Sequence, residues 1–398
     1  MHSIIVRYSE IGIKGKNRHL FENRLVQNIR AHLKPFGKSN VNRRWGRLEI
    51  HSDASKEDLT EVLAKIPGIA NFSHVVFSPL SLNDIEATAK EIVGKVVNEF
   101  RETAVTFRVT AKRANKDFFM ISTEIEATIG AALQDAFPQL KVQLTDPMLE
   151  VGIEIWEKQG VVYTEKTRGI GGLPVDDRER VVSLISGGID SPVASWMIMK
   201  RGCRVIYLYF HSFPFIGEQT KEKVTDLVKH LSVYQPESRL YIAPFAEIQK
   251  AIKMQTPEKL RTILYRRFMN LIANQIAKKE RARAIVTGDA LSQVASQTLT
   301  NLNCTSENSA FPVLRPLIGM DKIEIMALSR MIGTYPISIQ DFPDCCTVFQ
   351  PANPATKAYL PDVLEAEESM EDRNRLVDEA VEGCEIYNYY CHENRLNI

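Results

Sequence analysis

The chain has 398 residues, 50 Lys+Arg against 49 Asp+Glu, 44% hydrophobic residues and a formal net charge of +1, a composition that excludes global disorder. At this length about two to four domains are expected, each with its own core. No apolar run of about 18 residues occurs and the N-terminus is charged where a signal peptide needs an apolar stretch, so a cytoplasmic protein without a membrane partner is expected. The six cysteines, Cys203, Cys304, Cys345, Cys346, Cys384 and Cys391, are scattered and too few for a disulfide framework, which leaves catalytic or redox chemistry as their use. The near-zero total hides an asymmetry. Residues 1–56 hold 12 Lys+Arg and 4 Asp+Glu, a net +8, whereas residues 362–398 hold 3 Arg and 11 Asp+Glu, a net −8. The basic start is a candidate nucleic-acid face and the acidic tail reads as solvated helix.

Along the chain, residues 3–8 and 46–51 read as short strands around a helix from Asn17 to Leu33 with Leu20, Phe21, Leu25 and Ile29 at helical spacing. This is a small α+β domain, residues 1–58. Its loop IGIKGKNR sets Lys14, Lys16 and Arg18 around Gly12 and Gly15, where backbone can approach a phosphate and cations neutralise it. A second domain, residues 59–168, begins its regular structure with a helix over Leu82–Phe100. The segment VTFRVTAKR then alternates Val105, Phe107 and Val109 inward as a half-buried strand. Thr123 and Glu126 form a capping-box pattern at the head of a helix running to Phe137. The segments KVQLTD, LEVGIEIWEK and VVYTEKT predict three further strands. This domain offers Lys112, Arg113, Lys116, Lys166 and Arg168 but no nucleophile beside a base, so it reads as a binding module.

Residues 169–176 are a Gly/Pro-rich linker, after which VVSLI, VIYLYF, LYIAPF and AIVTG are apolar runs separated by helical stretches. Buried parallel strands with crossover helices have this pattern, so residues 177–398 should hold a doubly wound domain. At its head SGGIDS lies between a strand and an amphipathic helix. Gly187 and Gly188 allow a tight turn that aims backbone N–H groups at an anion, the helix N-terminus adds its dipole, and Ser186 and Ser191 add hydroxyls. The loop has no lysine, which excludes a Walker A motif, and its spacing excludes GxGxxG. What remains resembles the PP-loop of ATP pyrophosphatases. There the loop holds the β- and γ-phosphates of ATP while a substrate oxygen attacks the α-phosphate, with Asp190 near the phosphates and Mg2+. An adenylylated oxygen needs a second nucleophile to displace AMP. Cys345 and Cys346, adjacent in the loop DFPDCCTVFQPANPAT, are the candidates, and a loop thiol is more accessible than a core one. Two buried small residues would be the plain structural alternative. A zinc site with Cys384, Cys391 and His392 lacks the CxxC spacing.

From end to end the chain resembles the tRNA 4-thiouridine synthetases, also called thiamine biosynthesis sulfurtransferases. RYSEIGIKGKNR is similar to the start of their ferredoxin-like domain, and FRVTAKRANKDF and STEIEATIGAAL to their THUMP domain. SGGIDSPVA resembles their PP-loop, PLIGMDKIEI their lysine motif and DCCTVF their cysteine loop. The resemblance implies that the first two domains bind tRNA and that the third adenylylates O4 of the uridine at tRNA position eight. A persulfide on Cys346, loaded by a cysteine desulfurase, then supplies sulfur. The implied ATP contacts are Leu184, Ile185, Ser186, Gly187, Gly188, Ser191, Tyr209, Phe210, Arg266, Gly288 and Gln297. Lys322 matches the family lysine, suited to charge on the α-phosphate. A homodimer, a sulfur-carrier partner and a role in thiazole synthesis follow from the same resemblance.

Three departures stand out: Tyr209 replaces a common histidine, Asp176 replaces a common glycine, and no rhodanese-like segment follows the cysteine loop. Two other classes stay open, a PP-loop amide-forming ligase and a THUMP RNA-binding protein with an inactive α/β domain. The first predicts no tRNA affinity, and the second predicts tRNA binding without ATP turnover.

Overall fold

The computed structural model describes residues 1–102, 104–342, 345 and 348–393, and the chain divides into two units, Met1–Gly171 and Gly172–Ile398. In the first unit β1 (His2–Arg7) buries Ile4, Ile5 and Val6 at the centre of a sheet. The helix α1 (Arg18–Leu33) lays Leu25, Val26, Ile29 and Leu33 on the core side. Next come β2 (Ser39–Arg44), β3 (Arg47–Ser52), α2 (Lys56–Ala64) and β4 (Asn71–His74). Ser55 caps α2 by accepting the Asp58 N–H at 3.0 Å, a standard use of serine at a helix start.

A second sheet begins with β5 (Val76–Pro79), followed by α3 (Leu82–Val97), β6 (Val105–Arg113), α4 (Ser122–Ala136), β7 (Leu140–Val142), β8 (Leu149–Ile155) and β9 (Gln159–Tyr163). The short β10 (Thr167–Arg168) returns to pair with β4. The sheet orders are β10-β4-β1-β3-β2 and β5-β9-β8-β6-β7. The first sheet therefore draws strands from beyond residue 58. Between the sheets Glu154 of β8 accepts from Arg7 (2.6 Å), Trp156 Nε1 (3.1 Å) and Arg47. Burial alone would raise its pKa, but the two guanidinium groups outweigh that and hold the carboxyl below its usual range.

The capping box expected at Thr123 and Glu126 falls two residues earlier. The helix starts at Ser122, where Glu124 accepts the Ile121 N–H at 2.9 Å. Glu126 instead accepts the Ala111 N–H of β6 at 2.8 Å, so tertiary contact claims the side chain that the local pattern assigned to the cap.

The second unit runs β11 (Asp176–Leu184), α5 (Asp190–Lys200), β12 (Cys203–His211), α6 (Glu218–Leu231), β13 (Glu237–Pro244), α7 (Ala246–Gln255), α8 (Arg261–Glu280) and β14 (Ala284–Val286). It continues through α9 (Leu299–Ser306), β15 (Val313–Leu314), α10 (Lys322–Met331), α11 (Tyr335–Ser338), α12 (Leu360–Glu368), α13 (Arg373–Glu382) and β16 (Glu385–Tyr390). Strand order is β15-β14-β11-β12-β13-β16, with every pair parallel except β13–β16. The chain moves outward from β11 through β12 and β13, then crosses back to place β14 on β11's other side. No helix among the described residues is long and apolar enough to cross a membrane.

The acidic tail is not a solvated helix alone. Val363, Leu376 and Val377 enter the main core, and β16 closes the sheet edge. Glu367 is buried against the almost fully buried Arg267, which also donates to the Cys304 carbonyl (2.5 Å) and Glu307 (3.0 Å). Removing one member of a buried pair strands the other charge. Glu367→Ala should therefore lower unfolding free energy by about 3–5 kcal/mol in urea titrations of the full chain. An unchanged midpoint would show that the pair does not hold the tail.

Candidate functional site

Where strand order reverses between β11 and β14, the loops leaving their carboxyl ends diverge and open a crevice. A cavity of about 350 Å3 lies there, lined by the β11 end (Leu184, Ile185), the loop residues Ser186 and Gly188, and Asp190 and Ser191 of α5. Phe210 of β12, Arg266 of α8, Gly288 after β14 and Gln297 complete the predicted residues that line it. Tyr209, Gly187 and Lys322 do not. Alternation along β12 turns the Tyr209 ring away from Phe210, with its hydroxyl 3.5 Å from His211 Nδ1.

The loop is braced by its own hydroxyls. The Ser186 N–H donates to Ser191 Oγ (2.9 Å) and the Gly188 N–H to Ser186 Oγ (3.3 Å), so both serines are engaged in shaping the turn. Gly288 is required by proximity, since a Cβ there would lie 2.7 Å from the Ser191 backbone nitrogen. Behind the loop, buried Lys223 of α6 donates to the Gln340 carbonyl at 2.7 Å, and its stem would lie 3.3 Å from a Cβ on Gly187.

Asp190, first residue of α5, meets Lys322, first residue of α10, at 2.6 Å. Their separation of 132 positions closes because Asp321 caps α10, accepting the Glu324 N–H at 2.9 Å, and presents Lys322 at that helix start. Gln293 Nε2 donates to the other Asp190 oxygen at 3.0 Å. Also lining the cavity, buried Asp289 accepts from Arg266 (2.6 Å), Thr287 (2.7 Å), Gln297 (3.3 Å) and Arg315 (3.3 Å). Gln293, Asp289, Arg315 and Lys223 escaped the sequence reading. Asp289, a charge directly after an apolar strand and Gly288, carried a signal; Gln293 carried none. Two buried atoms lining the cavity, Thr262 Oγ1 and Gln297 Oε1, have no hydrogen-bond partner among the described residues, which suits a polar ligand.

Cys346 lies outside the described residues. Its neighbour Cys345 lines the cavity but is 4% exposed, packed in the core, with its carbonyl accepting from Gln249 at 2.9 Å. The expectation of an accessible loop thiol fails for Cys345 because α7 and the core cover it. In the first unit, Lys16, Lys112 and Lys116 are exposed and Lys14 sits 5.2 Å over the Phe21 ring. Arg18 is tied to Glu22 at 2.9 Å, and Arg113 donates to the Lys116 and Phe118 carbonyls at 3.3 and 3.1 Å.

Burial pushes the Asp289 carboxyl up, but Arg266, Thr287 and Arg315 outweigh it and hold it below the ordinary range. A depressed carboxylate stabilises the fold above its unfolded value and loses that contribution as pH falls through the folded value. The stability gap between the wild type and Asp289→Asn should therefore be full above about pH 4–5 and shrink below it. A gap that stays constant on acidification in urea titrations would contradict this.

Three family profiles match the chain: the ThiI ferredoxin-like domain over residues 3–73, the THUMP domain over 80–165 and the thiamine biosynthesis protein ThiI over 177–371. A probable tRNA sulfurtransferase of Halothermothrix orenii is 40% identical, over 96% of this chain and 98% of its own. Another from Moorella thermoacetica is 41% identical over 96% and 97% of the two chains. Among solved structures, a 4-thiouridine synthetase–RNA complex with bound ATP matches with a TM-score of 0.89 at 36% identity, covering 98% of this chain and 100% of that one. A Pyrococcus horikoshii structure matches with a TM-score of 0.67 at 27% identity, covering 84% and 100%. Ferredoxin-like, THUMP and PP-loop parts in this order, with full-length relatives at this identity, place the chain in the ThiI family of tRNA sulfurtransferases.

Proposed function

We propose that this protein is an ATP-dependent tRNA sulfurtransferase that converts the uridine at tRNA position eight to 4-thiouridine. The observation that carries this reading is a cavity built on SGGIDS at the switch point of a parallel sheet, lined by Asp190, which Lys322 meets at 2.6 Å. The α5 N-terminus suits the ATP phosphates, and Arg266 and Gln297 line the same cavity.

Mg2+ fits the donor set. Asp190 supplies one carboxylate, and a magnesium ion bound to one carboxylate plus substrate phosphates needs no larger protein cage. When bound it supplies charge neutralisation along the triphosphate.

In the first step the uridine O4 forms a bond to the α-phosphorus while the α–β bridge breaks and pyrophosphate leaves. In this reading Lys322 neutralises charge gathering on the α-phosphate, and its 2.6 Å contact with Asp190 supports a role for that carboxylate in orienting it. In the second step the terminal sulfur of a Cys346 persulfide bonds to C4, the C4–O4 bond breaks and AMP departs with that oxygen. A second thiol then attacks the Cys346 sulfur, either on a partner protein or on Cys345, which would first have to leave its buried position. This frees 4-thiouridine and leaves a disulfide that a thiol reductant resets. A cysteine desulfurase as persulfide source, a sulfur-carrier partner, a homodimeric assembly and sulfur donation to thiazole synthesis belong to the same reading. The segment 1–56, at +8, supports phosphate contacts by the first unit.

The test is incorporation of labelled sulfur into tRNA with ATP, a desulfurase and a reductant. Cys346→Ser should lose incorporation by on the order of 10³-fold while tRNA-dependent pyrophosphate release persists. Asp190→Ala should lower pyrophosphate release itself by on the order of 10²–10³-fold. Full incorporation by the serine variant would remove Cys346 from the mechanism. Affinity for tRNA should fall linearly in log–log salt titrations, and a flat profile would contradict binding through phosphates.

A further inference from the structure

The tip of the β2–β3 hairpin carries an aromatic ring that the core does not use. Arg44 pairs with Arg47 across a two-residue connection, Trp45–Gly46, with Gly46 at φ +77°, a conformation that L side chains rarely adopt. The Trp45 side chain is 88% exposed, whereas Trp196 is buried. Tryptophan loses most by facing water, so an exposed one within a +8 segment needs a reason.

The ring is held rather than left loose. The Arg18 guanidinium lies 5.0 Å from the Trp45 ring, within cation–π range. That guanidinium is itself fixed, since its Nη2 donates to Tyr8 Oη at 2.6 Å and its Nε to Glu22 at 2.9 Å. Burial and the Glu22 hydrogen bond push the Tyr8 hydroxyl up to about 12, so it stays protonated and keeps Glu22 and Arg18 in register. On the backbone side, Arg47 Nε donates to the Trp45 carbonyl at 3.3 Å, and Arg47 is anchored on Glu154. One part of the indole is thus engaged by a fixed cation and the rest faces solvent; of the two arginines that precede it in sequence, Arg43 is exposed and Arg44 is paired with Glu49 at 2.6 Å.

We propose that Trp45 is a stacking platform for one unpaired nucleobase of the RNA, with Arg18 behind the ring and exposed Arg43 for a flanking phosphate. The choice of an RNA base over an apolar protein surface rests on charge: although Arg18 is paired with Glu22 and Arg44 with Glu49 at 2.6 Å, exposed Arg43 lies two positions before the ring and residues 1–56 carry a net +8, a setting that a polyanion with a flat π-surface complements. Bases inside an A-form duplex are already stacked and their faces are closed, so only an unpaired base can reach the ring. The inference deepens the tRNA-binding reading above and rests on it.

The test uses the full chain and two probes, an unmodified tRNA transcript and a blunt-ended RNA duplex without unpaired nucleotides. Trp45→Ala should weaken tRNA binding by about 5- to 150-fold, the range of one base–aromatic stack, and leave duplex binding within about twofold. Trp45→Phe should recover most of the tRNA affinity, since a smaller ring still stacks. The two variants should unfold at the wild-type temperature. Equal tRNA affinity for wild type and Trp45→Ala would overturn the platform, as would an equal loss on both probes. Failure of the wild type to bind tRNA at all would instead overturn the function proposed above, and the platform with it.

Discussion

The reversal of strand order at β11 is the constraint on which the candidate site depends. With β12 on one side and β14 on the other, the two following loops cannot close over each other, and the cavity occupies the gap. Asp289 then organises one wall. A carboxylate so deeply buried is tolerable only with paired cations, and Arg266 and Arg315 provide them. One carboxylate between two arginines leaves excess positive charge at that wall. Asp190, which lines the cavity, and Lys322 neutralise each other until a ligand competes for them. A polyanion therefore meets a cavity whose cations are held in place before it arrives, which is the arrangement that electrostatic catalysis needs.

Much of this was legible because buried parallel strands read as unbroken apolar runs and SGGIDS punctuates the first of them. The site's longer connections were not. Asp289 meets Arg315 across 26 positions, and Arg267 meets Glu367 across 100. Neither pairing has a local signature, because each is made by helices and strands packing in three dimensions. The tail shows the same limit. Residues 385–390 lie in a strongly acidic stretch, yet they form the antiparallel edge strand beside β13. At α4 the Thr123-x-x-Glu126 pattern gives way to a cap between Ile121 and Glu124, and Glu126 is taken instead by the Ala111 N–H of β6. Tyr209 and Phe210 are neighbours in sequence, but strand alternation sends only one of them to the cavity.

Net charge of +1 first suggests a protein indifferent to nucleic acid. Its arrangement says otherwise. Within the first unit the excess of basic over acidic residues is confined to residues 1–56, where several are fixed by aromatic rings and carboxylates, as Arg18 is by Tyr8 and Glu22. The acidic residues of the tail are used in part to anchor the second unit's own helices, as Glu367 anchors Arg267. Segregation of this kind separates the work of holding an RNA from the work of spending ATP, and it disfavours indiscriminate binding by the chain as a whole.

The central claim is that ATP is spent by joining its α-phosphorus to the uridine O4. The most direct measurement follows that oxygen through one turnover, using tRNA labelled with 18O at O4 of the target uridine. Mass spectrometry of the nucleotide products should find the label in AMP, one atom for each 4-thiouridine formed. Label in inorganic phosphate would indicate attack at the γ-phosphate, and label in neither product would show that ATP does not activate the base; either result would contradict the account.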